Sequence, residues 1–234
     1  MTDSEPIPDP LVRRNFYGRV RGKTLRASQK TYLADDLGPL TLRGVSREDN
    51  PGRLPIDLGP VFGDAPVWVE IGFGGGEHLV HMAQRNPQVA LIGCEPFVNG
   101  VAMLLGRIRE AGVSNLMVHP GDARDLFDVL PGGLVQKAFL NYPDPWPKAR
   151  HHRRRFVVPE TLAGLARVMA AGAEFRVATD IADYVRQTLE EVPLAGFELV
   201  AQGSDAWDDW LSTRYEIKAL REGRPPHYMT FRRV

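Results

Sequence analysis

The sequence predicts an α/β fold with a mostly parallel, doubly wound β-sheet that ends in a C-terminal antiparallel hairpin. From residue 66 onward, short runs of β-branched and apolar residues alternate with stretches of helical periodicity. Runs such as "VALIGC" are apolar throughout, which is typical of strands buried on both faces of a parallel sheet. After residue 192 two strand-like segments, "FELVAQ" and "HYMTFRRV", follow one another, and no helix is predicted between them.

The individual elements follow from this alternation. Alternation of strands and helices along the chain indicates a parallel sheet with helices on both faces. Strands are predicted at about 67–71, 89–94, 116–119, 136–142 and 174–179, and helices at about 76–85, 98–111, 160–170 and 181–192, with a further helix beginning at Ala123.

The chain of 234 residues is 43% hydrophobic and 25% charged, which is ordinary for a globular protein with one large domain. We expect that domain to span residues 66–234. Residues 41–65 are rich in Gly, Pro and Asp and are predicted to be a linker. Residues 1–40 are predicted to be a flexible basic arm, disordered over about the first ten residues.

Several classes of protein are excluded by composition. No apolar run is long enough for a membrane span, and the N-terminus is acidic and proline-rich where a signal peptide would be basic and then apolar, so a cytoplasmic protein is expected. Cys94 is the single cysteine and is interpreted as a buried core residue. The histidines lack zinc spacing, so no metal is predicted, and the sequence leaves monomer and homodimer both open.

The charges are segregated although the chain as a whole is neutral, with 29 basic and 29 acidic residues. Windows 11–30, 148–155 and 214–233 together hold 18 Lys or Arg and two acids, a net charge of +16, so the remainder carries −16. If the three windows meet on one face, they form a surface that binds the phosphates of a nucleic acid.

A glycine-rich turn follows the first predicted strand, in "VEIGFGGGEH". Gly72, Gly74, Gly75 and Gly76 allow close approach of the backbone to a nucleotide-containing cofactor. Glu70 precedes the turn, and its carboxylate would repel the pyrophosphate of NAD or FAD. A cofactor without phosphate and with cationic groups, S-adenosylmethionine, suits this pocket better.

Two more acids follow the next two predicted strands. Glu95 lies 19 residues after Gly76, close to the spacing at which a carboxylate accepts hydrogen bonds from ribose hydroxyls. Asp122 either accepts a hydrogen bond from the adenine amine or caps the helix that begins at Ala123. Carboxyl ends of parallel strands meet at one edge of a sheet, so these acids are expected to surround one pocket.

The segment "NYPDPWPKARHHRRR" follows the fourth predicted strand and therefore falls at the same edge. Prolines on both sides of Asp144 restrict the backbone and are expected to hold Asp144 and Trp146 in one orientation. We interpret Asp144 as a carboxylate that faces the substrate, whereas Trp146 is equally compatible with stacking on a base and with packing under the loop.

The segments "EIGFGGG", "GCE", "GDA", "YPDPWPKARHHRRR", "ATD" and "TRYE" resemble the bacterial tRNA (guanine-N7-)-methyltransferase family. This is a family of class I, Rossmann-like S-adenosylmethionine enzymes. The resemblance covers residue 66 to the end, with weaker similarity in the basic arm. It implies methyl transfer from S-adenosylmethionine to N7 of a guanosine in the variable loop of tRNA, with tRNA as the partner.

The resemblance also implies roles for individual residues. Asp144 is implied as the catalytic residue at the junction of cofactor and substrate. The cofactor ligands implied are Glu70, Gly72, Glu95, Asp122 and Asp144. The substrate ligands implied are Lys148, Asp180, Thr213, Arg214, Tyr215 and Glu216. The residues implied to contact RNA are Arg150, His151, His152, Arg153, Arg154 and Arg155.

The sequence departs from the family pattern at several positions. Asn141 and Tyr142 replace a more usual pair of phenylalanines, and Arg214 and Tyr215 replace Lys and Phe. "NYPDPW" also resembles the loop of methyltransferases that act on exocyclic amines or side-chain amides, although Tyr142 and Asp144 interrupt that pattern. A non-catalytic RNA-binding subunit with the same fold is the alternative outside enzymes.

Overall fold

A computed structural model of the chain describes residues 15–234, and the expected disorder at the very N-terminus lies outside the described residues. In that part of the chain, the strands form one seven-stranded sheet in the order β3-β2-β1-β4-β5-β7-β6, with β1 to β5 parallel and β7 antiparallel to both neighbours. The strands are β1 (Val67–Ile71), β2 (Ala90–Cys94), β3 (Leu116–His119), β4 (Val135–Asn141), β5 (Met169–Thr179), β6 (Phe197–Gly203) and β7 (His227–Arg233).

Helices cover both faces of this sheet. They are α1 (Ala27–Asp35), α2 (Leu37–Leu40), α3 (Gly59–Phe62), α4 (Glu77–Arg85), α5 (Val98–Ala111), α6 (Ala123–Val129), α7 (Pro159–Val168), α8 (Ala182–Leu194), α9 (Arg214–Arg221) and a 3₁₀ helix (Ala149–Arg154). Side chains alternate along each strand, so Leu91 packs with α4 and α5 while Ile92 packs with α6 and α7. The predicted α/β architecture is therefore confirmed.

The antiparallel pairing of the C-terminal hairpin is confirmed, but the connection between its strands and their order in the sheet differ from the prediction. Helix α9 lies between β6 and β7, where no helix was predicted, and β7 inserts between β5 and β6 instead of extending the sheet edge. The spacing of Thr213 and Glu216 is the signature of a helix N-terminus and marks this helix in the sequence. The Thr213 hydroxyl accepts a hydrogen bond from the Glu216 backbone N–H at 3.3 Å.

The segments expected to be an arm and a linker contribute to the folded body. Within the expected arm, α1 packs against α5, and the Arg109 guanidinium lies 5.2 Å from the centre of the Tyr32 ring. Within the expected linker, the Leu42 N–H donates to the carbonyl of Val118 at 2.9 Å, and Leu42 is buried. Partly buried apolar side chains of the arm pack on the hydrophobic core, and Leu42 of the expected linker is buried in it, so both segments are held to the folded body.

Candidate active site

A cavity of about 840 Å³ opens at the carboxyl edge of the sheet, beside β1, β2 and β4. Ligands of open α/β sheets bind outside the carboxyl ends of the strands, so the cavity lies where a binding site is expected in this fold. Its wall includes five of the residues that the sequence predicts to be ligands: Gly72, Glu95, Asp122, Asp144 and Tyr215.

The glycine-rich turn lies between β1 and α4 and forms one end of the cavity. Gly72 and Gly74 have φ angles of 70° and 58°, a left-handed conformation that glycine adopts without strain. The turn also touches α5 closely, because a Cβ atom on Gly100 would lie 2.2 Å from the Gly74 carbonyl oxygen. The backbone is thereby brought to the cavity wall with no side chain in front of it.

Glu95 ties the turn to the end of β2. One carboxylate oxygen accepts from the Gly74 N–H at 2.8 Å, and the other accepts from the Phe97 N–H at 2.9 Å. Burial raises the pKa of Glu95, and these two N–H groups act against that rise. Each oxygen retains acceptor capacity, so the carboxylate can also receive hydroxyl donors from within the cavity.

Glu70 lies behind the cavity and not on its wall. It is buried, and one carboxylate oxygen lies 2.8 Å from Nδ1 of His78 on α4. The same His78 nitrogen lies 3.3 Å from the Asn141 amide at the end of β4. In this structure Glu70 therefore joins β1, β4 and α4 beneath the turn, and direct contact with a cofactor stays a prediction.

Asp122 performs the capping role that the sequence left open. Its carboxylate accepts from the Arg124 N–H at 2.9 Å at the start of α6, and the Arg124 guanidinium approaches the other oxygen at 2.5 Å. Because Asp122 also lines the cavity, capping fixes its orientation there without excluding a contact to a ligand.

The 141–147 loop carries Asp144 along the wall of the cavity. Tyr142 and Trp146 have backbone φ angles of 49° and 41°, in the left-handed region that residues other than glycine rarely adopt. The surrounding protein raises the pKa of Asp144 by desolvation, and the charge of Arg19 partly opposes this. Strained backbone of this kind persists only where neighbouring structure holds it in place.

Residues 16–19 of the arm also line the cavity. The Arg154 guanidinium lies 4.9 Å from the centre of the Tyr17 ring and 5.0 Å from the centre of the Trp146 ring. This stacked arrangement joins the first two basic windows at the mouth of the cavity. It also places a cation over the Trp146 ring, which sequence reasoning did not predict.

Asn99, in the first turn of α5, holds the arm against the body of the protein. Its side-chain oxygen accepts from the Gly22 N–H at 2.8 Å, and its amide donates to the Lys23 carbonyl at 2.7 Å. The Val98 N–H donates to the Val20 carbonyl at 2.9 Å. An amide of this kind in a helix carries no distinctive signal, so the sequence alone does not identify Asn99.

Replacement of Asn99 by Ala is expected to release the arm. Two hydrogen bonds are lost, so opening of the arm should become easier by about 1–3 kcal/mol. Limited proteolysis should then cut faster before residue 25, and a bound cofactor should dissociate several-fold faster. Gln29→Ala is the control, because the Gln29 side chain accepts from Arg26 within the arm itself. Unchanged cleavage and dissociation in Asn99→Ala would show that the arm does not cover the ligand.

The residues that the resemblance implies as substrate ligands lie in different parts of the structure. Arg214 and Tyr215 face the glycine turn, with the Arg214 guanidinium 2.9 Å from the Glu77 carboxylate and the Tyr215 ring 3.1 Å from a Cβ built on Gly74. Lys148 is exposed next to the 3₁₀ helix. Asp180 lies outside the cavity wall and pairs with the Arg224 guanidinium at 2.5 Å.

Thr213 and Glu216 are both buried and engaged in local structure. Thr213 caps α9, while the Glu216 carboxylate accepts from Trp210 Nε1 at 2.9 Å and from the Tyr228 hydroxyl. Their role as substrate ligands stays a prediction. In this structure they hold α9 against β7 and thereby place Tyr215 at the cavity.

The basic segment after the loop is not uniform. Arg150 and Arg153 are exposed, His151 lies edge-on to Trp146 with ring centres 6.0 Å apart, and His152 Nε2 lies 3.2 Å from Asp183. Arg155 differs from Arg150 and Arg153, because its side chain is buried against the loop and the residue belongs to the lining of the cavity. Its contact with RNA stays a prediction.

The third basic window reaches the site only in part. Arg214 pairs with Glu77 beside the glycine turn, whereas Arg232 and Arg233 lie at the C-terminal end of β7, where Arg233 donates to the Gly196 carbonyl. The prediction of one continuous basic face therefore applies to the first two windows and the start of α9.

The glycine turn and the Glu95 carboxylate beside it suit a nucleoside cofactor. Across residues 15–234, no group of three or more His, Cys, Asp or Glu side chains is placed to hold a metal ion. In the same part of the chain, no helix is both long and apolar enough to cross a membrane. The cavity combines left-handed glycines with carboxylates and with arginines of the arm, of the start of α6 and of the 3₁₀ helix and its end.

Comparison with known proteins gives a consistent result. A family model described as "Putative methyltransferase" matches residues 64–229. The tRNA (guanine-N(7)-)-methyltransferase of Cereibacter sphaeroides is 74% identical over 94% of this chain and 91% of that protein. The enzymes of the same name from Paracoccus denitrificans and Rhodospirillum rubrum are 70% identical (100% of this chain, 99% of the relative) and 45% identical (96% and 89%).

Solved structures agree on the fold. "Structure of an Antibiotic Related Methyltransferase" aligns with a TM-score of 0.56 at 18% identity, over 78% of this chain and 98% of that chain. The 16S rRNA methyltransferase KamB aligns with a TM-score of 0.56 at 18% identity, over 76% and 93%. At this level of identity the likeness concerns architecture alone.

Proposed function

The chain belongs to the tRNA (guanine-N(7)-)-methyltransferase family, and from that premise we propose that it transfers the methyl group of S-adenosylmethionine to N7 of a guanosine in the variable loop of tRNA. The observation that carries this proposal is that Asp144 and Glu95 line one cavity together with the glycine turn. The proposed cofactor ligand and the proposed substrate-facing carboxylate thus share the edge of the sheet at which such folds bind their ligands.

The cavity supports S-adenosylmethionine as the cofactor. Glu95 and Asp122 both line the cavity, and we propose that Glu95 accepts from the ribose hydroxyls and Asp122 from the adenine amine, while the left-handed glycines let the backbone approach. The Glu95 carboxylate, bonded to the glycine turn, favours an ammonium or a sulfonium over phosphates at that end of the cavity. When bound, the cofactor supplies an electrophilic methyl group on sulfur.

Alignment is the main task of the protein in this reaction. Guanine N7 already carries a lone pair at neutral pH, so no strong general base is required. The protein has to hold N7 in line with the methyl carbon and the sulfur, a kind of positioning that reaches effective molarities of about 10⁵–10⁸ M in model systems. We assign this role to Asp144, which faces the cavity.

A carboxylate at this position also provides selectivity for guanine. The N1–H and the N2 amine of guanine are adjacent donors, and a carboxylate accepts from both, whereas adenine lacks this pair. Two other acids are implied as substrate ligands, but Asp180 pairs with Arg224 and Glu216 is buried with Trp210 and Tyr228. The base-reading role therefore falls mainly on Asp144.

Exposed cations beside the loop are proposed to bind the tRNA backbone. Changing Arg150 and Arg153 together to Ala should weaken tRNA binding and lower the slope of log K against log salt by about one for each lost phosphate contact. Binding measured at several salt concentrations tests this. Arg85→Ala is the control, because Arg85 is exposed at the end of α4 that points away from the glycine turn. An unchanged slope in the double variant would remove these arginines from the RNA interface.

Nucleoside analysis tests the proposed function. Unmodified tRNA is incubated with the protein and methyl-labelled S-adenosylmethionine, then digested and separated. The label should appear in 7-methylguanosine from the variable loop. Label on an exocyclic amine would support the alternative suggested by "NYPDPW". Cofactor binding without any transfer would favour a non-catalytic RNA-binding subunit.

A further inference from the structure

We propose that Arg155 is a positioning residue that holds the 141–147 loop, and with it Asp144, in the geometry required for methyl transfer. This inference rests on the proposed function, since it assigns to Arg155 an effect on the carboxylate that orients the base. It separates Arg155 from the exposed arginines beside it in the sequence.

The Arg155 guanidinium binds the backbone of the loop directly. Its Nε donates to the Pro145 carbonyl at 2.8 Å, and Nη2 lies 3.4 Å from the Trp146 carbonyl. These are the two carbonyls that immediately follow Asp144 in the chain. The planar fork of donors on a guanidinium can satisfy two such acceptors at once, which the single ammonium of a lysine does less well.

Helix α8 provides a socket for the same guanidinium. Nη1 donates to the Gln187 side-chain oxygen at 2.7 Å, and Nη2 pairs with the Asp183 carboxylate at 2.8 Å. The centre of the Tyr184 ring lies 5.2 Å away. Arg155 is 3% exposed, so its charge is compensated inside the protein and not by solvent.

The socket is itself fixed by further contacts. Gln187 donates through its amide to the Val157 carbonyl at 2.5 Å, which ties α8 to the chain just after Arg155. Asp183 also lies 3.2 Å from His152 Nε2. Residues 152 and 155 are three apart, and side chains at that spacing share a face of a 3₁₀ turn, so both reach the same carboxylate.

The loop needs such an anchor because its backbone is strained. Tyr142 and Trp146, on either side of Asp144, both have positive φ angles. Prolines limit the alternatives but do not by themselves select this conformation. With the donors of Arg155 removed, the loop carbonyls lose their partners and the carboxylate shifts relative to the base. A misplacement of about 1 Å can cost about 100-fold in rate.

The variant pair Arg155→Ala and Arg153→Ala separates positioning from RNA binding. For Arg155→Ala we expect kcat at saturating tRNA to fall about 100-fold, as for a misplaced catalytic group, with tRNA affinity and its salt slope close to those of the wild type. For Arg153→Ala we expect the effect to fall on binding, with a weaker and less salt-dependent tRNA complex. Cofactor affinity, measured by calorimetry, should be unchanged in both and shows that each variant is folded.

Chemical rescue provides a readout that a general loss of stability would not produce. The cavity left in Arg155→Ala retains the Asp183 carboxylate and the Gln187 and Pro145 oxygens, so guanidinium chloride, at concentrations far below those that unfold proteins, should restore part of kcat. Sodium chloride at equal ionic strength should not, and Arg153→Ala should not respond. Arg155→Lys keeps the charge without the planar fork of donors, so its kcat should lie between those of the wild type and Arg155→Ala. It replaces the alanine variant in these measurements if that variant does not fold.

The proposal would be overturned if Arg155→Ala or Arg155→Lys lost tRNA affinity and salt dependence while retaining kcat. It would also be overturned if both variants had the kcat of the wild type, or if sodium chloride restored kcat as well as guanidinium did. Absence of 7-methylguanosine with the wild-type protein would instead contradict the proposed function. The two failures are therefore distinguishable.

Discussion

Asp144→Asn is expected to lower kcat by about 100-fold or more at saturating cofactor and tRNA. The carboxylate accepts two donors from guanine, and hydrogen bonds to a charged group contribute about 1.5–3 kcal/mol each, while 1.36 kcal/mol corresponds to tenfold in rate. The amide of Asn is similar in shape, but its NH₂ group presents a donor where one carboxylate oxygen accepted. Single-turnover methylation of tRNA measures the effect.

The cofactor serves as an internal control for this variant, because its dissociation constant should change little. Asp205→Asn is the matched control elsewhere in the chain, since Asp205 is exposed in the segment between β6 and α9 and does not line the cavity. Near-normal turnover in Asp144→Asn would remove Asp144 from the mechanism.

Glu95→Ala is expected to have the largest effect on cofactor binding. It removes the acceptor of the Gly74 and Phe97 N–H groups and the proposed acceptor of the ribose hydroxyls. Because a buried N–H without a partner costs about 1–3 kcal/mol, and 1.4 kcal/mol is tenfold in affinity, we expect the dissociation constant to rise about 100-fold. Calorimetric titration with S-adenosylmethionine measures it.

Glu110→Ala is the matched control for Glu95→Ala, because Glu110 is exposed near the end of α5, far from the glycine turn. It should bind the cofactor as the wild type does. Glu95→Gln should be intermediate, since one amide oxygen can replace only one of the two acceptors. If Glu95→Ala kept wild-type affinity, the cavity beside the glycine turn would not be the cofactor site.

The parallel core of the fold was predictable because burial on both faces leaves an unambiguous pattern. β1 and β3 were predicted to the residue, and α5 likewise, since apolar runs and helical periodicity alternate there. Helix α9 was missed because it is short and mostly exposed, so its apolar pattern is weak. Its capping residues were present in the sequence and gave the only local signal.

The positions of the carboxylates at the site could be predicted from the sequence better than the positions of the arginines. Asp122, Asp144 and Glu95 follow strand ends, a position that a parallel sheet converts into proximity. Whether an arginine faces RNA or the interior depends on tertiary contacts, as with Arg155 and its socket on α8. The docking of Tyr17 on Arg154 likewise depends on long-range packing that periodicity does not encode.

Methyl transfer to tRNA transcribed with 7-deazaguanosine in place of guanosine tests the central claim most directly. This substitution removes N7 and preserves the N1–H and N2 donors and the phosphate backbone. We predict that the substituted tRNA binds with near-normal affinity and accepts no methyl group, while ordinary tRNA yields 7-methylguanosine. Methylation of the 7-deazaguanosine tRNA would contradict the assignment of N7 as the acceptor.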